Sequence, residues 1–209
     1  TEEQGRHAQL EGRSQFSGPL GNATVVQRSR SHAQHFFSLR YLEETQERND
    51  NRAFDVTFDA QTGLVTAAKG SKDQASMPYV LPFRDPLGLL RELRSMDEPT
   101  EPAEVPMLGK NVSVQFAGTV ELDTALGKKR ARAYLLHPGQ SVVYVDVEAP
   151  HYILKLTQRL AEGHVDALLV RVASEGPLEP FGAAGGQRRS RGGRGKGERS
   201  SKRRPRRRR

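Results

Sequence analysis

The chain has 209 residues, room for one core with extensions, and it contains no cysteine, which excludes disulfides, thiolate zinc sites and cysteine nucleophiles while leaving the redox compartment open. Its formal net charge of +8 is unevenly spread: 13 Lys or Arg and one acid, Glu198, stand between Gln187 and Arg209, whereas the preceding 186 residues hold 20 bases and 24 acids. The isoelectric point near 10.0 therefore belongs to a tail, and a folded basic groove is not implied.

Residues 1 to 22 are polar, with Gly and Pro and a hint of alternation around Leu10, and read as a loose segment with at most one strand. The sequence opens at Thr1, not Met, which fits a removed signal peptide or a truncated chain. No apolar run approaches the ~20 residues needed to span a bilayer.

From Ala23 the pattern turns to β. "ATVVQ" and "HFFSLRYLEE" interleave β-branched and aromatic residues with polar ones, which places Phe37, Leu39 and Tyr41 on one face of a strand and Phe36, Ser38, Arg40 and Leu42 on the other. After the turn cluster "ETQERNDNR", Phe54, Val56 and Phe58 alternate with Asp55, Thr57 and Asp59, a period-two stripe with one apolar face. "DAQTG" then reads as a hairpin turn with Gly63 at positive φ, and "LVTAA" as the returning strand.

The alternation breaks at "PYVLPFRDPLGLLRELRSMDEP". Asp85 can cap a helix, Pro86 suits the first helical position, and Leu89, Leu90 and Leu93 form an apolar stripe that Pro99 and Pro102 terminate. The spacing predicts one helix near 85–95, too short to persist in water unless its leucines are buried against a sheet. Beyond a Pro-rich connector, "EPTEPAEVPMLG", come "NVSVQFAGTVEL", "RARAYLLH", "SVVYVDVEA", "HYILKLTQRL" and "HVDALLVRVA", strand-like runs whose short connections require antiparallel neighbours. The expected fold is mainly β: a large curled antiparallel sheet, a half-barrel-like meander, packed around one short α-helix across residues 23–175. A Gly/Pro linker follows at 176–186 and the Arg/Lys-rich tail at 187–209.

The helix segment carries a resemblance. With Phe83, Asp85, Pro86, Leu87, Leu90 and Arg94 placed after "FDVTFDAQTGLV" and before a meander, the chain resembles bacterial exported domain-of-unknown-function family 3108 over roughly residues 23 to 175. In that family an Asp-Pro-Leu-Ser-like turn opens a short helix ending in Leu-x-x-Arg within a single large sheet. The resemblance implies a fold and export to the cell envelope or periplasm, and it transfers no catalytic residue. Gly88 stands where the family often has Ser, and points to a close backbone approach to the sheet.

No chemistry-bearing constellation emerges from the residues. Of six histidines only His32 and His35 are close, and on a strand an i, i+3 pair points to opposite faces, so no metal site is expected. Arg84, Arg91 and Arg94 near a helix N-terminus suggest an anion site, but Asp85 at the cap opposes one and the later arginines complement the C-terminal end of the dipole. There is no Gly-rich phosphate loop and no nucleophile elbow; no enzyme, catalytic residue or cofactor is expected. A dry concave sheet can hold an apolar ligand, although Leu87, Leu90, Leu93 and the strand leucines are expected to fill the space.

The tail is the strongest signal. Arg188, Arg189, Arg191, Arg194, Lys196 and Arg199 alternate with Gly and Ser, and Lys202, Arg203, Arg204, Arg206, Arg207, Arg208 and Arg209 close the chain. Such a segment cannot bury enough apolar surface to fold, while its guanidinium groups pair with phosphate and other anions. No aromatic residue follows Phe181, so base stacking and sequence recognition are not expected. The partner is an anionic membrane surface or polymer if the protein is exported, and nucleic acid if it is cytoplasmic and nucleoid-associated.

Overall fold

A computed structural model of the chain describes residues 7–18, 21–47, 50–70, 73–78, 83–160 and 163–173. The linker, the basic tail and residues 79–82 of the helix motif lie outside the described residues.

The described residues are mainly β with one short helix, as the patterning requires. The first sheet runs β1 (His7–Gly18), β2 (Gly21–His32), β3 (Ser38–Glu47), β4 (Asp50–Asp59), β5 (Leu64–Lys69) and β6 (Asp73–Pro78). Helix α1 (Pro86–Ser95) follows, and the second sheet runs β7 (Ala103–Met107), β8 (Lys110–Thr124), β9 (Gly127–His137), β10 (Ser141–Asp146), β11 (Ile153–Leu160) and β12 (Gly163–Leu168). Each sheet is a six-stranded antiparallel meander, and neither closes into a barrel. The strands thus form two sheets where one large sheet was expected, because β6 and β7, on either side of the helix, do not pair.

Several local expectations hold in detail. The β4–β5 turn is anchored by Asp59, whose carboxylate accepts the backbone N–H of Gln61 at 2.8 Å and the Thr62 hydroxyl at 2.8 Å, with Gly63 at φ 67°. These donors hold the Asp59 carboxyl below its usual range, the Thr62 hydroxyl contributing most. The N-terminal segment carries β1, which pairs with β2 over its whole length. The connector contains β7, a strand that escaped notice because of Pro106; an edge strand tolerates the missing N–H.

One face assignment is overturned. Leu39 is an extra residue in β3, since Arg30 pairs with Arg40 but Ser31 pairs with Ser38. This bulge reverses the alternation, so that Ser38 and Tyr41, of opposite parity, are both buried on the inner face. Phe36 and Phe37 precede the strand, in a turn where Phe36 has φ 60°, a left-handed conformation that costs about 1–2 kcal/mol for a bulky residue.

The helix joins the two sheets. Its N-cap, Asp85, is 3% exposed; its Oδ1 accepts Gly88 N–H at 2.8 Å, and its Oδ2 accepts the hydroxyls of Ser29 on β2, at 2.6 Å, and of Ser38 on β3. Ser38 Oγ in turn accepts the Asp85 N–H at 2.7 Å. Arg91 extends the hold by donating to the carbonyls of His32 and Ala33 while its guanidinium lies 4.9 Å from the Phe36 ring. Gly88 does mark a close approach: a Cβ there would lie 3.3 Å from the Phe36 carbonyl oxygen.

The other side of the helix belongs to the second sheet. Leu89 and Leu93 are buried with Val105, Val112, Val114, Tyr134, Val143 and Val145, and Leu90 packs against that cluster. The helix C-terminus is satisfied from below, where Arg132 Nη1 donates to Met96 O at 2.6 Å and Tyr134 Oη donates to the same oxygen at 2.8 Å. Arg94 donates to the carbonyls of Pro150 at 2.8 Å and His151 at 2.9 Å. No helix among the described residues is long and apolar enough to cross a membrane.

If Asp85 ties the helix to the first sheet, Asp85→Ala removes the cap and strands two buried hydroxyls. Chemical denaturation should then show a loss of about 3–5 kcal/mol. Asp85→Asn keeps an oxygen for Gly88 and should lose less than half of that. Gly88→Val, which drives a branched side chain at the Phe36 carbonyl, should destabilise by about 2 kcal/mol or more.

Candidate binding cleft

The segment preceding the helix is shared between the sheets. Phe83 O accepts the Ser38 N–H at 2.9 Å, and Arg84 N–H donates to Pro106 O of β7 at 2.8 Å. The β7–β8 hairpin turns tightly at Leu108 and Gly109, the latter at φ 80°, and Leu108 reaches across to pack on Tyr41, Val56, Phe58 and Val65 of the first sheet. The second sheet thus touches the inner face of the first through a hairpin tip.

Register explains what that inner face offers. Ser29, Tyr41, Val56, Ala67 and Ala75 form one cross-strand row, and Phe58, Val65 and Met77 part of the next, giving an apolar floor. The row on the far side of Tyr41 is polar except at Phe54: Gln27, Glu43, Phe54, Lys69 and Asp73. Between this floor, the hairpin tip and the helix start lies a cleft of about 380 Å³, within the range typical of ligand sites. Tyr41, Val56, Phe58, Met107, Leu108 and Phe54 supply most of its wall, with Glu43, Arg84, Asp85 and Lys110 as its acidic and basic side chains.

Most of those charges are already engaged. Glu43 Oε2 accepts the Tyr41 hydroxyl at 2.7 Å and the Gln27 amide at 2.9 Å, and the same amide donates to Tyr41 Oη at 2.9 Å. Burial, reinforced by the Glu43 acceptor, pushes the Tyr41 phenol well above its usual range, so it stays a neutral donor. Arg84 grips Glu92 through Nε at 2.7 Å and Nη2 at 3.2 Å, and Asp85 is occupied by serines. Lys110 makes no ion pair among the described residues.

Two other hollows set this cleft in context. One of about 420 Å³ adjoins it across Phe54, lined by Ala67, Lys69, Asp73, Gln74 and Ala75. A larger one, about 610 Å³, lies against Leu135, His137, Thr157, Arg159 and His164, all from one sheet and its turns. Among the described residues the larger volume is a surface depression lined by a single sheet and its turns, so the cleft is the better candidate. Of the helix leucines expected to fill the concave space, Leu90 and Leu93 lie over the second sheet with Leu89, and Leu87 lies against Gly12 of the first.

The residues of the sequence motif are divided by the fold. Phe83 packs on the first-sheet cluster and Leu87 lies against Gly12 of β1, whereas Leu90 and Arg94 face the second sheet. Asp85 and Pro86 cap the helix and also line the cleft. The thirteen tail cations lie outside the described residues. The histidine pair departs from expectation: His35 sits in the turn after β2, so its ring stacks on His32 at 4.7 Å in place of pointing to the opposite face. Among the described residues no group of three His, Asp or Glu is placed to hold a metal ion.

Sequence reasoning missed Ser29, Tyr41, Glu43 and Lys110 as neighbours of one site. The available signal was the inward pairing of small polar residues in "SRSH", where Ser29 and Ser31 alternate with arginine on a strand. No protein-family model, curated protein or solved structure matches the chain.

Proposed function

We propose that the protein is a non-enzymatic binding module of the bacterial cell envelope, which holds an apolar ligand in the cleft while its basic tail keeps it at an anionic surface. One observation carries the first half: apolar side chains from two sheets leave an open 380 Å³ space beside the helix start. The tail's composition supports the second half, since its 13 cations can pair with the anions of a polyanionic surface. The envelope location draws on the resemblance of the Phe83–Arg94 motif to an exported family.

Two measurements test the halves separately. A neutral apolar dye such as N-phenylnaphthylamine should fluoresce on binding the protein, and Leu108→Trp, which fills the cleft from the hairpin tip, should abolish the signal while the fold persists by circular dichroism. Unchanged dye binding in that variant removes the cleft from the reading. Deletion of residues 187–209 should abolish binding to anionic vesicles, with affinity of the full chain falling steeply as salt rises. If the full chain ignores vesicles yet binds duplex DNA with a log–log salt slope near ~0.9 per contacted phosphate, the nucleic-acid partner replaces the envelope one.

A further inference from the structure

We infer that the ligand of the cleft is a single-chain amphiphile with an anionic head group, its tail on the Tyr41–Val56–Phe58 floor and its head at Lys110. This rests on the cleft reading above and adds the ligand's chemistry.

The charge inventory of the walls leads to the head group. Arg84 is neutralised by Glu92 in a two-point contact, and Asp85 faces three hydrogen-bond donors of its own. Glu43 spends one oxygen on the Tyr41 hydroxyl and the Gln27 amide, both on the sheet side. Lys110 is the cation left over: exposed, paired with Met107 where the hairpin closes its turn over the floor, and without an acidic partner among the described residues. An ammonium at the rim of an apolar hollow favours a ligand that brings a negative charge to the rim and hydrocarbon to the interior. Glu43 repels that charge from the sheet side, which fixes the orientation with the head at the hairpin.

The floor also explains the tail. Phe54 borders both the cleft and the adjoining 420 Å³ hollow, and the row Val56, Ala67, Ala75 continues beneath them, so an extended chain finds an apolar row towards β6, flanked by Lys69, Asp73 and Gln74. Lys69, at the far hollow, is a poorer head-group site because Asp73 stands directly across the β5–β6 ladder. A bulky multi-ring or two-chain ligand fits a track between a sheet and a hairpin tip less well than one chain.

Displacement of the neutral dye tests this with octanoate, decanoate and dodecanoate against decanol. Affinity for the carboxylates should rise about fourfold per added methylene while the track lasts. Decanoate should bind more tightly than decanol, and Lys110→Ala should weaken decanoate about fivefold while leaving decanol unchanged. Lys110→Glu should weaken decanoate further. If decanol matches decanoate in the unaltered protein, or Lys110→Glu leaves decanoate untouched, the anionic head group is wrong while the cleft stands. If no chain displaces the dye, the apolar-ligand reading itself falls.

Discussion

The structure depends on one buried carboxylate. Asp85 leaves water for a site between two strands and a helix start, and it is tolerable there only because Ser29, Ser38 and the Gly88 N–H all donate to it. Those donors come from three elements, so satisfying the charge fixes the helix on the first sheet at a single position and angle. A neutral apolar residue in the same place would pack without specifying a register; the carboxylate permits only the arrangement in which both hydroxyls reach it.

From that fixed point the helix divides its sides. The cap binds β2 and β3 of the first sheet and Arg91 the start of the turn between them, while Leu89, Leu90 and Leu93 pack with the core of the second and Arg94 binds its β10–β11 connection. Ten residues therefore hold together two meanders that share no strand pairing. Across the joint, contact between the sheets comes through the hairpin tip at Leu108 and the Phe83–Arg84 segment. Among the described residues, contact through these narrow features leaves much of the first sheet's inner face without a covering layer, and the cleft is the consequence.

The outer face of the first sheet shows the opposite logic. Arg28 bridges Glu11 and Glu44 across three strands, and Arg40 pairs in two-point fashion with Asp55. These partly exposed pairs add little stability individually, but they mark that face as the wet one. The inner face, with Tyr41, Val56, Phe58 and Val65, is left for burial or for a ligand.

The sequence by itself determined the helix, its cap, its first-position proline, the β4–β5 hairpin and the segregated cationic tail, because each depends on residues within a few positions of one another. Strand content was legible for the same reason, through period-two alternation in stretches such as "FDVTF" and "SVVYVDV". Only the tertiary structure decided that the strands form two sheets, that Leu39 is an extra residue which turns Ser38 inward, and that Lys110 and Glu43 flank one cleft. Those outcomes follow from pairing and packing between residues tens of positions apart. Alternation along a strand records which side chains share a face, and it carries no information about what lies opposite that face.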